Sequence, residues 1–150
     1  MQRRKFLSLS TLIAFAAMTP VQLSAENYRA TKPDVWTSHT VDDSIKKLYG
    51  TRTTIQEGVK LTAPDVASNG GAIPVDIKSD ISAKSVALFQ DANPEAAVIV
   101  YTVHEGGIID YSLKMKMKAS GTITVVVEGR DGKLYSANKT LDVALGGCEG

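Results

Sequence analysis

The sequence predicts an all-β domain, an immunoglobulin-like antiparallel β-sandwich of about seven strands. From residue 59 onward, short apolar or alternating runs are each closed by glycine, asparagine or proline. They recur about every 8 to 12 residues, a spacing typical of sandwiches, and a small barrel is the alternative architecture. The predicted strands are Val59 to Ala63, Ile73 to Ile77, Ser85 to Phe89, Ala96 to His104, Tyr111 to Met117, Thr122 to Glu128, and Leu134 to Leu145, the last long enough to be split in two.

Residues 1–25 have the three-part layout of an export signal. A basic stretch, Arg3 to Lys5, precedes an apolar run from Phe6 to Met18, and small residues lead to Ala25. The order Arg3-Arg4-Lys5-Phe6-Leu7 also resembles the twin-arginine export motif, with an ordinary secretory signal as the alternative. We therefore expect a cleaved signal, a bacterial periplasmic location, and no membrane anchor in the mature chain.

The segment between the signal and the first strand is predicted to hold an arm and one helix. Residues 26–39 are polar with little apolar periodicity, which predicts an N-terminal arm. Thr40 is a plausible helix cap and Gly50 a plausible stop. Between them, apolar residues at Val41, Ile45, Leu48 and Tyr49 predict a short helix with one buried face. Helix and sandwich together are expected to form the domain 40–145.

The charge balance gives no indication of nucleic-acid binding. The chain has 17 Lys and Arg against 16 Asp and Glu, and the signal contains three basic and no acidic residues, so the mature chain carries 14 against 16, a net −2. Lys114, Lys116 and Lys118 form the densest basic feature. Because they alternate with Leu113, Met115 and Met117, a strand with one solvated face is favoured over an anion-binding patch.

Residues for catalysis or metal binding are sparse. His39 and His104 are the only histidines, and neither has a neighbouring cluster with metal-ligand spacing. No G-x-S-x-G, phosphate-loop or C-x-x-C motif occurs. Asp42 and Asp43 stand at the predicted helix start, where acidic residues favour the helix dipole. We therefore expect a non-enzymatic protein without a metal or cofactor.

The last five residues, Gly146-Gly147-Cys148-Glu149-Gly150, contain the only cysteine. A glycine-rich terminus is expected to be mobile, and five extended residues reach about 17 Å. A thiol on such an arm suits a covalent carrier, because the thiolate is a nucleophile that the arm can present to other proteins. The residues alone leave other interpretations open: an incidental cysteine, or an interaction module whose Cys148 forms an intermolecular disulfide. A thiol enzyme would need a base near Cys148, and the tail supplies none.

Several stretches resemble the SoxY family, the carrier subunit of the periplasmic thiosulfate-oxidising Sox system. The tail is the specific one, and the similarity spans most of residues 40–150. The family tail usually reads Gly-Gly-Cys-Gly-Gly, so Glu149 is a departure that concerns fine specificity. The similar stretches are Leu61 to Gly70, Ile73-Pro74-Val75, Asn93-Pro94, Asp131 to Ala137 and Leu145 to Cys148.

The resemblance implies a carrier that takes up sulfur compounds on Cys148, with Gly146, Gly147, Glu149 and Gly150 as the swinging arm. In that family a c-type cytochrome loads thiosulfate oxidatively, giving a cysteine S-thiosulfonate. A hydrolase then releases sulfate and leaves a persulfide, which a molybdenum sulfur dehydrogenase can oxidise further. The resemblance also implies a heterodimer with a SoxZ-like subunit, a second small β-sandwich.

Two strand segments suggest a covered surface in addition to the core. Ala96 to Val103 and Thr122 to Val127 are apolar at nearly every position, more than a sheet with one wet face requires. A partner subunit would explain this pattern, and burial by the N-terminal arm is the competing explanation.

Overall fold

The computed structural model describes residues 25–144, so residues 1–24 of the predicted export signal and the tail with Cys148 lie outside the described residues. Within 25–144, no helix has the length and apolarity needed to cross a bilayer. The elements are α1 Tyr28–Thr31, a 3-10 helix Pro33–Thr37, α2 Val41–Tyr49, β1 Val59–Thr62, β2 Val66–Ala67, β3 Ile73–Ser79, β4 Ala83–Gln90, β5 Ala97–Thr102, β6 Ile109–Met115, β7 Gly121–Gly129 and β8 Leu134–Val143.

Helix α2 begins and ends at the residues that the sequence predicts. Thr40 Oγ1 accepts the N–H of Asp43 at 3.2 Å, which satisfies one of the free amides of the first turn. Gly50 adopts a left-handed φ of 79° and donates its N–H to the carbonyl of Lys46 at 2.8 Å, closing the last turn. Ile45 is buried on one face of this helix, which confirms the predicted amphipathic element.

The strands form two sheets of three and five strands, in the orders β1-β3-β6 and β2-β8-β7-β4-β5. Every pair is antiparallel except the two-residue β2, which runs parallel to the end of β8. The chain stays within the five-stranded sheet from β4 to β5 and from β7 to β8, and every other connection between successive strands passes from one sheet to the other. The immunoglobulin-like sandwich is thereby confirmed, with each predicted strand present, β2 in addition, and β8 unbroken.

The main core lies between the two sheets. Alternate residues of β3, namely Ile73, Val75 and Ile77, are fully buried. They share one apolar cluster with Val125 and Val127 of β7. The period-2 burial of β3 follows from the pleat of the strand, which directs successive side chains to opposite faces.

The N-terminal segment covers the outer face of the five-stranded sheet. Val35 of the 3-10 helix is 1% exposed and belongs to a second apolar cluster with Leu48 of α2 and Phe89 of β4. Val126 of β7 is buried in the same cluster, so the arm and α2 cover the outer face of β7, whereas the core between the sheets covers its inner face. In contrast, every residue of β5 stays partly exposed.

Candidate functional site

The candidate site is the end of the sandwich where β8 stops at Val143 and the chain continues toward Cys148. We call this the tail end, formed by the loops 63–72, 91–96 and 116–120. The opposite end, which we call the far end, is formed by the loops 80–82, 103–108 and 130–133. The nine residues of β7 run from one end to the other, which at about 3.3 Å per residue separates them by about 26 Å.

Three hydrogen bonds hold the end of β8. The N–H of Asp142 donates to the carbonyl of Asp65, and the N–H of Ala144 donates to the carbonyl of Ala67, both at 2.9 Å. Between them, the N–H of Val143 donates to Ser120 Oγ at 2.9 Å. The backbone is therefore fixed up to Ala144, and we call this segment, residues 142–144, the root of the tail.

An ion pair lies beside this root. Lys139 Nζ of β8 contacts the Asp65 carboxylate, which precedes β2. Hydrogen bonding and charge attraction from Lys139 hold the pKa of the Asp65 carboxyl below its usual range. Because the Asp65 side chain is 88% exposed, we assign the pair a modest role in holding β2 against β8.

Asn93 connects two loops of the tail end. Its Nδ2 donates to the carbonyl of Lys116 at 2.7 Å, and its Oδ1 accepts the N–H of Lys118 at 2.9 Å. The N–H of Met117 donates to the carbonyl of Gly70 at 2.9 Å, and its side chain is fully buried. Lys116 and Lys118 are thereby exposed beside the root, and their alternation with buried methionine continues past the end of β6.

The far end holds a cleft of about 790 Å³ between the N-terminal arm and β5, lined by His104, Arg130 and Glu128 among others. Next to it, Ser85 Oγ donates to Glu128 Oε2 at 2.9 Å and lies 3.1 Å from Tyr49 Oη. Burial raises the pKa of Tyr49 well above its ordinary value. The four residues from 145 to 148 span at most about 14 Å, so the cleft lies beyond the reach of the chain's own cysteine.

The sequence-predicted site residues Gly146, Gly147, Cys148, Glu149 and Gly150 lie outside the described residues. The two histidines are not brought together. His39 Nδ1 lies 2.8 Å from the carbonyl of Pro94 at the tail end, whereas His104 lies at the far end. Among residues 25–144, no group of three or more His, Cys, Asp or Glu is arranged to hold a metal ion.

Sequence reasoning missed the residues that position the root of the tail. Ala67 and Ser120 act through a backbone carbonyl and a loop hydroxyl, neither of which has a pattern along the chain. The family resemblance nevertheless pointed to part of the tail end. The stretch Leu61 to Gly70 and the pair Asn93-Pro94, which carry the family resemblance, both lie at the tail end.

Comparisons with known proteins give a family match and similar folds. The profile of the family described as "Sulfur oxidation protein SoxY" matches residues 45–148. The solved structure of the sulfur carrier protein SoxY from Chlorobium limicola f thiosulfatophilum is 28% identical, with a TM-score of 0.64, covering 73% of this chain and 96% of that chain. A superoxide reductase (neelaredoxin) from Ignicoccus hospitalis is 17% identical, with a TM-score of 0.52, covering 59% and 81%, and shares the fold alone. A search of curated protein sequences gave no match.

Proposed function

The chain belongs to the SoxY family of sulfur oxidation proteins, and on this premise we propose that it carries sulfur intermediates of thiosulfate oxidation covalently on Cys148. The observation that carries the proposal is the extent of the family match. It runs from Ile45 through Cys148 and so includes the tail thiol as well as the sandwich. The chain acts as a carrier, and the enzymes of the system supply the catalysis.

Loading is an oxidation that joins two sulfur atoms. The Cys148 thiolate forms an S–S bond with the outer sulfur of thiosulfate, giving Cys–S–S–SO₃⁻. The thiol proton goes to solvent, and two electrons leave to a c-type cytochrome. Water then cleaves the S–SO₃⁻ bond in a hydrolase site, releasing sulfate and leaving the persulfide Cys–S–SH. A sulfur dehydrogenase oxidises the remaining sulfane sulfur with oxygen atoms from water, and the electrons leave to a c-type cytochrome.

The root of the tail supports a role in presentation. Hydrogen bonds from the loops fix the backbone as far as Ala144, and the two glycines that follow Leu145 allow many backbone conformations. A fixed base with a short glycine arm lets the thiol enter the pocket of a partner while it stays tethered.

The proposal includes location and assembly. The Arg3-Arg4 signal supports export to the periplasm in the folded state, where partner enzymes of the Sox type would meet the carrier. Family membership supports a heterodimer with a SoxZ-like sandwich subunit.

Mass spectrometry of the intact protein from native periplasm tests the function. We expect adducts of one sulfur atom or of a thiosulfonate group on Cys148, and their loss on treatment with a thiol reductant. The Cys148→Ser variant should fold with unchanged circular dichroism and abolish thiosulfate oxidation by the reconstituted system. Undiminished turnover of Cys148→Ser would refute the carrier function. A mass of two chains under non-reducing conditions, without sulfur adducts, would instead support an intermolecular disulfide.

A further inference from the structure

Strand β5 forms an edge of the five-stranded sheet and pairs only with β4. Its sequence, Ala97 to Thr102, contains no charge, proline or glycine, and each of its six residues is partly exposed. A long apolar edge strand is a template for pairing with another chain, and monomeric sheets protect such edges with charged residues, prolines or short strands. The β5 edge has none of these protections.

The other edges in the part of the chain that the structure describes are protected. Strand β2 has only two residues. Strand β1 presents the exposed Lys60, and β6 presents Asp110 and Lys114. The part of β8 that β2 leaves uncovered includes Lys139. The contrast among these edges indicates that something beyond residues 25–144 covers the β5 edge.

The backbone of β5 indicates what covers it. The N–H of Val103 donates to the carbonyl of Lys84 on β4 at 2.8 Å. Because the direction of these groups alternates along an antiparallel strand, Ile99 and Tyr101 bond toward β4. The N–H and C=O groups of Val100 and Thr102 point to the free edge, and no residue in 25–144 forms a backbone hydrogen bond with them there. These groups match the backbone of an added strand.

The flanks of this edge are also suited to an incoming chain. On one side, Tyr101 packs on Tyr111 of β6, with ring centroids 5.1 Å apart. On the other side, the Arg29 guanidinium stacks 4.1 Å from the centre of the Trp36 ring. A groove runs between this stacked pair and Val98 to Val100. Side chains of an added strand would meet apolar and aromatic surface on both faces.

We propose that β5 accepts an edge strand of the SoxZ-like sandwich subunit, so that the five-stranded sheet continues into the partner. The inference rests on the proposed function for the identity of that partner. The side position of β5, three strands from β8, leaves the tail end open for the enzymes that act on Cys148.

Residue-resolved amide exchange tests this on the isolated mature chain and on the complex with the partner. In the isolated chain, the amides of Val100 and Thr102 should exchange quickly, whereas those of Ile99 and Tyr101 should be protected. In the complex, the first pair should slow by at least about tenfold and the second pair should change little. A complex in which Val100 and Thr102 still exchange quickly would overturn the strand addition and leave the carrier function intact.

A charge variant provides a second measurement. Val98→Lys places a charge on the β5 edge and should weaken partner binding by at least about tenfold, while the matched Thr62→Lys on the β1 edge should bind as wild type. Equal binding by both variants contradicts the inference, and the exchange measurement on wild type still decides if Val98→Lys does not fold.

Protection of Val100 that rises with the concentration of the isolated chain would identify a second copy as the occupant and overturn the proposed partner. Failure to form any complex would contradict both the assembly and this inference, whereas loss of sulfur loading with an intact complex concerns the function alone.

Discussion

The backbone N–H of Ala144 donates to the carbonyl oxygen of Ala67 across 2.9 Å, and this bond fixes the place where the chain leaves the sandwich. Ala67 belongs to β2, the one strand that runs parallel to its neighbour, and its partner there is the last residue of β8. Because only four residues follow up to Cys148, the chain length keeps Cys148 within about 14 Å of this bond. The proposed carrier function therefore requires a partner active site to approach the tail end.

We predict that Cys148 reacts with a maleimide reagent in the folded protein without denaturant. In the proposed function the tail presents the thiol to partner enzymes, and the neighbouring glycines have no side chains to pack over it. The rate should lie within a few-fold of that of the free peptide Gly-Gly-Cys-Glu-Gly, measured by intact mass against time. Labelling that appears only after denaturant is added would contradict the mobile arm.

How far the sequence predicted the fold depends on whether each signal was local. Helix α2 was predicted because its cap Thr40 and its stop Gly50 lie within the element itself. Strand β2 was missed because two residues carry no periodicity and pair with a strand that is distant along the chain. Burial of Val35 at 1% exposure is likewise a tertiary effect, since its polar neighbours predicted only an arm.

The candidate site likewise has one part that the sequence predicts and one part that depends on contacts between distant loops. Cys148 stands out from composition and resemblance, and its role stays a prediction because the residue lies outside the described part of the chain. The bonds from Ser120 and Asn93 that shape the tail end depend on loops brought together by the sandwich. A single sequence gives the type of residue in such loops but not its contacts.

Asn93 belongs to one of the stretches that resemble the SoxY family, and replacing it with alanine tests whether its side chain stabilises the fold. The side chain makes hydrogen bonds to the backbone of Lys116 and Lys118, and both are lost in Asn93→Ala. We expect the free energy of unfolding to fall by about 1 to 2 kcal/mol in urea denaturation, since water replaces part of the lost bonding. The control Asn69→Ala, which removes one bond to the N–H of Gly71, should cost less. Equal stability of wild type and Asn93→Ala would show that the two loops hold together without it.

The pair of Asp131 and Tyr135 predicts a pH dependence. Tyr135 Oη donates to Asp131 Oδ2 at 2.6 Å, and this bond, followed by the N–H of Lys133, lowers the pKa of the Asp131 carboxyl below its ordinary 3.8. Because the folded-state pKa is the lower one, the pair stabilises the fold above about pH 4 and this contribution is lost as the pH falls through the folded-state pKa. In Tyr135→Phe, an NMR titration should show the Asp131 pKa shifted up toward its ordinary value.

Tyr111→Phe is the control for that titration. Tyr111 lies in β6 of the three-stranded sheet and packs on Tyr101 of β5, so its substitution should leave the pKa of Asp131 unchanged. The stability difference between wild type and Tyr135→Phe should shrink in acid. An Asp131 pKa that is the same in wild type and Tyr135→Phe would refute the assigned cause.

Glu149, which stands where the family tail usually has glycine, predicts that the Cys148 thiol reacts more slowly as a nucleophile. A carboxylate beside Cys148 disfavours the thiolate and raises the thiol pKa, and at about 7 Å in water the Coulomb energy is about 0.6 kcal/mol, a factor of about 3 in thiolate population. The same charge repels thiosulfate, unless a partner pocket offers a cation to Glu149 and turns it into a docking contact. We would compare wild type with Glu149→Gly in alkylation by a neutral reagent at several pH values and in turnover with the partner enzymes. Faster alkylation with slower turnover would indicate docking, faster values in both would indicate electrostatic hindrance, and an unchanged thiol pKa would refute the electrostatic argument.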